Sequence, residues 1–215
     1  MDMVLKKLKD GILRFQTGVY PAQAEMYQKA ASEPQQPQAL VVTCADSRID
    51  PELVTQSGPG EIFVTRNIGN LVPAYGEMLG GVSAVIEYAV SALKVKHVAI
   101  CGHSDCGAMK ALLNPASLES MATVKSWMRN AEAALSVANS LNEDGEDGYA
   151  KLRRLTEENV LLQLQHLRTH PSVAGAIARE ELTLSGWVYD IGTGQVRISE
   201  NGQRSFVPVA KEAIA

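Results

Sequence analysis

Two short strings carry the residue types from which a metal centre can be built. Cys44-Ala45-Asp46-Ser47-Arg48 offers a thiol, a carboxylate and a guanidinium at alternate positions. His103-Ser104-Asp105-Cys106 offers an imidazole and a second thiol three residues apart. Each string follows an apolar stretch of strand length, and in open α/β sheets sites form outside the carboxyl ends of strands. If the two strands are neighbours, Cys44, His103 and Cys106 converge on one point. Two thiolates and a neutral imidazole suit zinc, because the sulfurs balance its charge. Three protein ligands leave a fourth position for water, as catalytic sites do and structural sites do not. Zinc lowers the pKa of such a water. In an extended segment Cys44, Asp46 and Arg48 point the same way. Asp46 paired with Arg48 stays ionised, and is placed to accept a hydrogen bond from zinc-bound water or hydroxide and so orient it for attack. Either string alone is a weak signal, since strand-end cysteines commonly fill cores. Their joint presence, each after an apolar strand, favours zinc.

The elements that must position these residues can be read from the apolar pattern. Residues 39–43 form a continuous apolar run, the mark of a parallel strand covered on both faces. Residues 61–66 and 97–101 predict two more strands, the first after the turn Gly58-Pro59-Gly60. Val82, Val85, Ile86, Ala89, Val90 and Leu93 make one helical face, and a helix is expected from Ala108. Further helices are predicted over 118–141, 149–169 and 172–181, with an acidic, solvated loop over 142–148. Residues 182–198 read as a hairpin around Gly192-Thr193-Gly194. The N-terminal stretch reads as helix, with Val4, Leu5, Leu8, Ile12, Leu13 and Phe15 near a 3.6-residue period. Pro21 is positioned to open a second helix. Together these predict one α/β domain over 1–215, with a helical arm at 1–31 and a core at 39–198. Its central, mostly parallel β-sheet is flanked by helices and ends in a C-terminal edge hairpin.

Composition sets the outer bounds. The chain has 215 residues, 46% hydrophobic and 20% charged, as a globular domain has. Its 20 basic and 24 acidic residues give a net charge of −4, which argues against a nucleic-acid partner. Three cysteines are too few for a disulfide scaffold and suit a reducing compartment. No apolar run reaches the ~18 residues of a membrane span, and the first residues lack the apolar core of a secretory signal, so a cytoplasmic protein without membrane contact is expected. Cys101 reads as a buried core thiol, and Asp105 as a helix cap or an outer support of the metal site. His166 and His170 read as cations closing a helix before Pro171. His97 reads as structural or exposed, Arg66 and Asn67 as loop-holding, and Trp127 and Trp187 as core or interface anchors.

Four motifs in order then resemble the β-class carbonic anhydrases. They are Cys44-Ala45-Asp46-Ser47-Arg48, the stretch 59–70 with Arg66-Asn67-Ile68-Gly69-Asn70, the stretch 80–90 from Gly80-Gly81 to Val90, and Gly102-His103-Ser104-Asp105-Cys106-Gly107. Within that class the chain is similar to bacterial, plant-like enzymes associated with cyanate breakdown. The resemblance implies one zinc per chain on Cys44, His103 and Cys106, with Asp46 and Arg48 as the catalytic dyad. It implies a substrate pocket in which Gln35 hydrogen-bonds a substrate oxygen, Phe63 and Tyr88 form an apolar slot, and the Gly107 N–H assists. It implies a homodimer, a tetramer or larger, built partly by exchange of N-terminal helices, so that part of each pocket comes from a second copy. A Trp found in the regulated branch three residues before the first ligand is Val41 here, so that branch's inhibitory bicarbonate site is expected to be missing.

The implied reaction is reversible hydration of carbon dioxide to bicarbonate and a proton, with attack by zinc-bound hydroxide. Two alternatives remain from the sequence. One is hydrolysis of carbon disulfide on the same scaffold. The other is a non-catalytic zinc or thiol module, which would have no use for Asp46 and Arg48.

Overall fold

The computed structural model describes residues 2–76, 79–142, 145, 147–200 and 202–210. The acidic loop expected at 142–148 falls partly outside them. Six strands form one sheet in the order β2-β1-β3-β4-β5-β6. They are β1 (Ala39–Cys44), β2 (Ile62–Asn67), β3 (His97–His103), β4 (Thr183–Tyr189), β5 (Val196–Glu200) and β6 (Val207–Pro208). The first four are parallel, and β5 and β6 pair antiparallel at the edge. The chain runs from β1 outward to β2, then crosses back to place β3 on the other side of β1. The crevice between the carboxyl ends of β1 and β3 is therefore the topological switch point, where open sheets form their sites.

Ten α-helical segments accompany the sheet among the described residues: α1 (Met3–Arg14), α2 (Tyr20–Ala22), α3 (Ala24–Ser32), α4 (Pro51–Thr55), α5 (Gly81–Glu87), α6 (Gly107–Leu113), α7 (Ala122–Trp127), α8 (Glu132–Ser140), α9 (Gly148–Thr169) and α10 (Pro171–Ala178). The continuous apolar runs of β1 and β3 bury both faces, as a doubly covered sheet requires. On one face Leu40, Val42, Val98, Ile100, Leu184 and Val188 pack with Val160, Leu164 and Leu167 of α9. A Cβ added at Gly102 in β3 or Gly186 in β4 would stand 2.8 and 2.6 Å from the methyls of Val160. Those two glycines let α9 lie directly on the sheet. On the other face Val41, Ala99 and Cys101 pack with Trp187 and Tyr189.

The predicted helix at 118–141 is instead α7 and α8, joined by a 3₁₀ turn at Met128–Ala131. The Asn130 side chain hydrogen-bonds the Trp127 carbonyl inside that turn, and the Asn130 carbonyl accepts from Gln163. A side chain that competes for local backbone groups favours such a break. Pro21 lies within α2 rather than opening a long helix, and a π-helical turn at Phe15–Val19 precedes it. The arm packs little. No residue of α1, α2 or α3 is buried, and Met3, Leu8, Ile12 and Leu13 all stand exposed.

Candidate metal centre

Cys44 is the last residue of β1 and His103 the last of β3, and β1 and β3 pair in parallel. The chain then turns at Asp105, with φ +59°, and Cys106 caps α6. This brings the three side chains together, and their ligand atoms all lie within 4.8 Å of one another. All three residues are buried, the two cysteines in an apolar cluster with Leu71, Met109 and Leu155. Cys101, in contrast, packs in a separate cluster with Val41 and Ala99, where burial pushes its thiol up to about 12.

The donor set fits zinc. His103 Nδ1 hydrogen-bonds the Ser104 carbonyl at 2.8 Å, which fixes the tautomer with a bare Nε2. That Nε2 is buried without a partner, and apart from Asn70 Nδ2 no other such side-chain atom occurs among the described residues. A buried acceptor without a donor costs free energy unless something fills the place. A zinc ion with bonds of about 2.0–2.3 Å brings its ligand atoms within the spacing seen here. Without metal, Cys44 and Cys106 share a hydrogen bond and hold one proton between them. Cys44 falls to about 4, chiefly because Cys106 donates to it, while Cys106 is held far up by that same bond and by burial. A divalent cation resolves this conflict by stabilising both thiolates.

Asp46 and Arg48 form a two-pronged ion pair. Arg48 Nε meets Asp46 Oδ1 at 2.9 Å and Nη2 meets Oδ2 at 2.7 Å, while the Arg48 backbone N–H also donates to Oδ1. These bonds hold the Asp46 carboxyl well below the usual carboxylate range and raise Arg48 further. Asp105 is the second carboxylate on Arg48, with Nη1 to Oδ2 at 3.0 Å, and it also pairs with Lys110. Its role as helix cap is thus corrected, since Cys106 takes the cap position. Arg66 donates to the carbonyls of Cys44 and Asp46 and ties the segment to β2.

Of the substrate-pocket residues that the resemblance implies, Gln35, Phe63 and Tyr88 do not join this cluster within one chain. Gln35 precedes β1, in a groove with Met26, Lys29, Gly58 and Glu61. It lies four residues before the amino end of a six-residue strand, roughly 20 Å long at strand rise, whose carboxyl end is Cys44. Phe63 pairs with Leu40, four residues short of Cys44, and lies 6.1 Å from the half-exposed Tyr88 ring, centroid to centroid. Gly107 stands beside the centre, with open space around its Cα. His166 lies in the last turn of α9 and His170 at its C-cap, at the helix end as expected, and both also hold a loop, with His166 Nδ1 on the Val72 carbonyl at 2.8 Å and His170 Nε2 on that of Pro73 at 3.1 Å. Desolvation lowers the His170 pKa. His97 sits between the hydroxyls of Thr183 and Ser185. The residues least visible in the sequence are Asn159 and Gln163, fully buried amides on α9 whose only signal is i, i+4 spacing on an otherwise apolar face.

A parallel sheet with a buried Cys–His–Cys cluster at its switch point defines an α/β metalloprotein with a zinc-type site. Comparison with known proteins specifies it further. A carbonic anhydrase family model matches residues 39–196. A carbonic anhydrase of Pseudomonas aeruginosa is 46% identical over 207 residues, covering 96% of this chain and 93% of the relative. Carbonic anhydrase 1 of Escherichia coli O157:H7 is 43% identical over 206 residues, covering 96% and 93%. The solved β-carbonic anhydrase CcaA superposes with a TM-score of 0.91 at 35% identity, covering 98% of this chain and 94% of that one. The chain belongs to the β-class of the carbonic anhydrases, a family of lyases.

Proposed function

We propose that this protein hydrates carbon dioxide to bicarbonate and a proton with one zinc per chain on Cys44, His103 and Cys106. The observation that carries the reading is the buried, partnerless His103 Nε2 facing two cysteine sulfurs, beside a clamped and ionised Asp46. Bound zinc supplies Lewis acidity that activates water near neutral pH. Asp46, held by both prongs of Arg48, accepts the hydrogen bond of the attacking water and fixes its direction. Arg48 keeps that carboxylate charged, so Asp46 orients the nucleophile rather than taking its proton. The Gly107 N–H, the first of α6, points its dipole toward negative charge growing on a substrate oxygen. The proton product passes to solvent.

Gln35, Phe63 and Tyr88 enter as a second copy's contribution. The Gln35 amide donates to a substrate oxygen, and the two rings wall an apolar slot for carbon dioxide. Two observations support the assembly: the arm buries nothing in its own chain, and tetrameric β-carbonic anhydrases from Sordaria macrospora superpose at a TM-score of 0.82 and 28% identity. We read the protein as a homodimer or a pair of dimers. Three free cysteines support our reading of a reducing, cytoplasmic compartment.

The test combines zinc quantification with stopped-flow hydration. The wild type is expected to hold one zinc per chain and to hydrate carbon dioxide. Asp46→Asn is expected to keep zinc and lose about 10²-fold in kcat. Cys106→Ser is expected to lose both. Wild type that binds zinc and hydrolyses carbon disulfide but not carbon dioxide would overturn the assignment.

A further inference from the structure

The loop after β2 touches both metal-bearing elements. Gly69 lies in it with φ +78°, and a Cβ there would stand 3.0 Å from Cβ of Ala108, two residues past Cys106. Two residues on, Leu71 packs in the buried cluster that holds Cys44 and Cys106. Two amides of α9 pin this loop. Asn159 Nδ2 donates to the Gly69 carbonyl at 3.1 Å, and Gln163 Oε1 accepts from the Val72 N–H at 2.8 Å. Gln163 Nε2 donates to Asn159 Oδ1 at 2.9 Å and to the Asn130 carbonyl at 3.0 Å. Both side chains are fully buried. An apolar pair would pack α9 at lower desolvation cost, so the amides serve something other than packing.

We propose that Asn159 and Gln163 are positioning residues for the metal centre, holding the loop of Gly69 and Leu71 against Ala108 and so fixing the start of α6, where Cys106 stands. The proposal rests on the zinc assignment above. A loop packed against the turn that carries a ligand fixes the direction of that ligand's side chain. Losing an outer support of this kind typically costs 10–100-fold in metal affinity. Asn159 supplies the direct contact with Gly69. Gln163 keeps the Asn159 amide from turning over, by donating to its oxygen.

The experiment measures zinc affinity by chelator competition, and the thiolate-to-metal charge-transfer band of the cobalt-substituted full-length protein. Asn159→Leu is expected to weaken zinc by about tenfold or more and to shift the cobalt band. Gln163→Met, which leaves Asn159 in place, is expected to shift both in the same direction by less. Thr156→Val is the control, removing a buried hydroxyl from the same helix that bonds only the Leu152 carbonyl. It is expected to leave affinity and band unchanged. Variants that lower the urea midpoint yet keep the wild-type affinity and band would overturn the proposal, and would show the amides to be loop supports alone. Should Asn159→Leu not fold, the same reading of Gln163→Met decides. Wild type that binds neither zinc nor cobalt would instead overturn the zinc assignment.

Discussion

Cys44 and Cys106 are a thiolate and a thiol held against each other in an apolar cluster, and their unequal protonation has a measurable result. Cys44 has already lost its proton near neutral pH and Cys106 has not. Binding of zinc must therefore expel the Cys106 proton. Uptake at pH 7 is expected to release about one proton per zinc, and affinity to rise about tenfold per pH unit. Titration calorimetry in buffers of different ionisation enthalpy measures the number. Release of about two protons would show that Cys44 is not pre-ionised. At this scale the sequence was informative wherever chemistry depends on residue type and spacing: the three ligands, Asp46 and Arg48 all come together. Of the two readings of Asp105, the outer support fits and the cap does not, because its backbone turn sends the carboxylate to Arg48 while Cys106 takes the cap position.

The parallel strands were readable because a doubly covered strand is apolar without alternation. The hairpin was readable from its glycines. The break at Met128–Ala131 was not, because it depends on Asn130 satisfying its own turn and serving Gln163 from a distant helix. The loop 71–75 shows the same dependence on distant partners. It is tied to α9 and its end by Gln163, His166, Thr169 and His170. His170 is held neutral there by burial, against the Tyr75 ring. A histidine with a depressed folded pKa leaves the unfolded chain binding more protons below its ordinary value near 6.5. Its contribution to stability is complete above that pH and is lost as pH falls through the folded value. The wild type is expected to lose urea resistance between pH 7 and 5, and His170→Gln to flatten that part of the curve. Parallel curves for the two proteins would exclude His170 as the cause.

Taken whole, the molecule carries an N-terminal arm, α1 to α3, none of whose helical residues is buried. Burial of apolar surface is worth about 25 cal/mol per Å², so an amphipathic arm left in water forgoes much of its possible stabilisation. A second copy is the partner we infer for it. Removal of residues 1–31 is expected to lower the mass measured by light scattering to that of smaller assemblies. It is also expected to depress hydration strongly while zinc content stays near one per chain. An arm-less protein that remained fully assembled and active would show the arm to be dispensable. The resemblance supplied Gln35, Phe63 and Tyr88, which no spacing within the chain connects to Cys44, and we assign their place in the pocket to a surface that a second copy completes.

The six-residue length of β1, with Gln35 before its start and Cys44 at its end, has a genetic corollary. If each pocket draws on both ends of this strand from different copies, a lesion at one end and a lesion at the other are complementary rather than additive. Cys106→Ser chains and Gln35→Ala chains, each inactive alone, are expected to regain about a quarter of wild-type turnover when refolded together in equal amounts. Half of the randomly paired dimers are mixed, and one pocket in each mixed pair inherits neither defect.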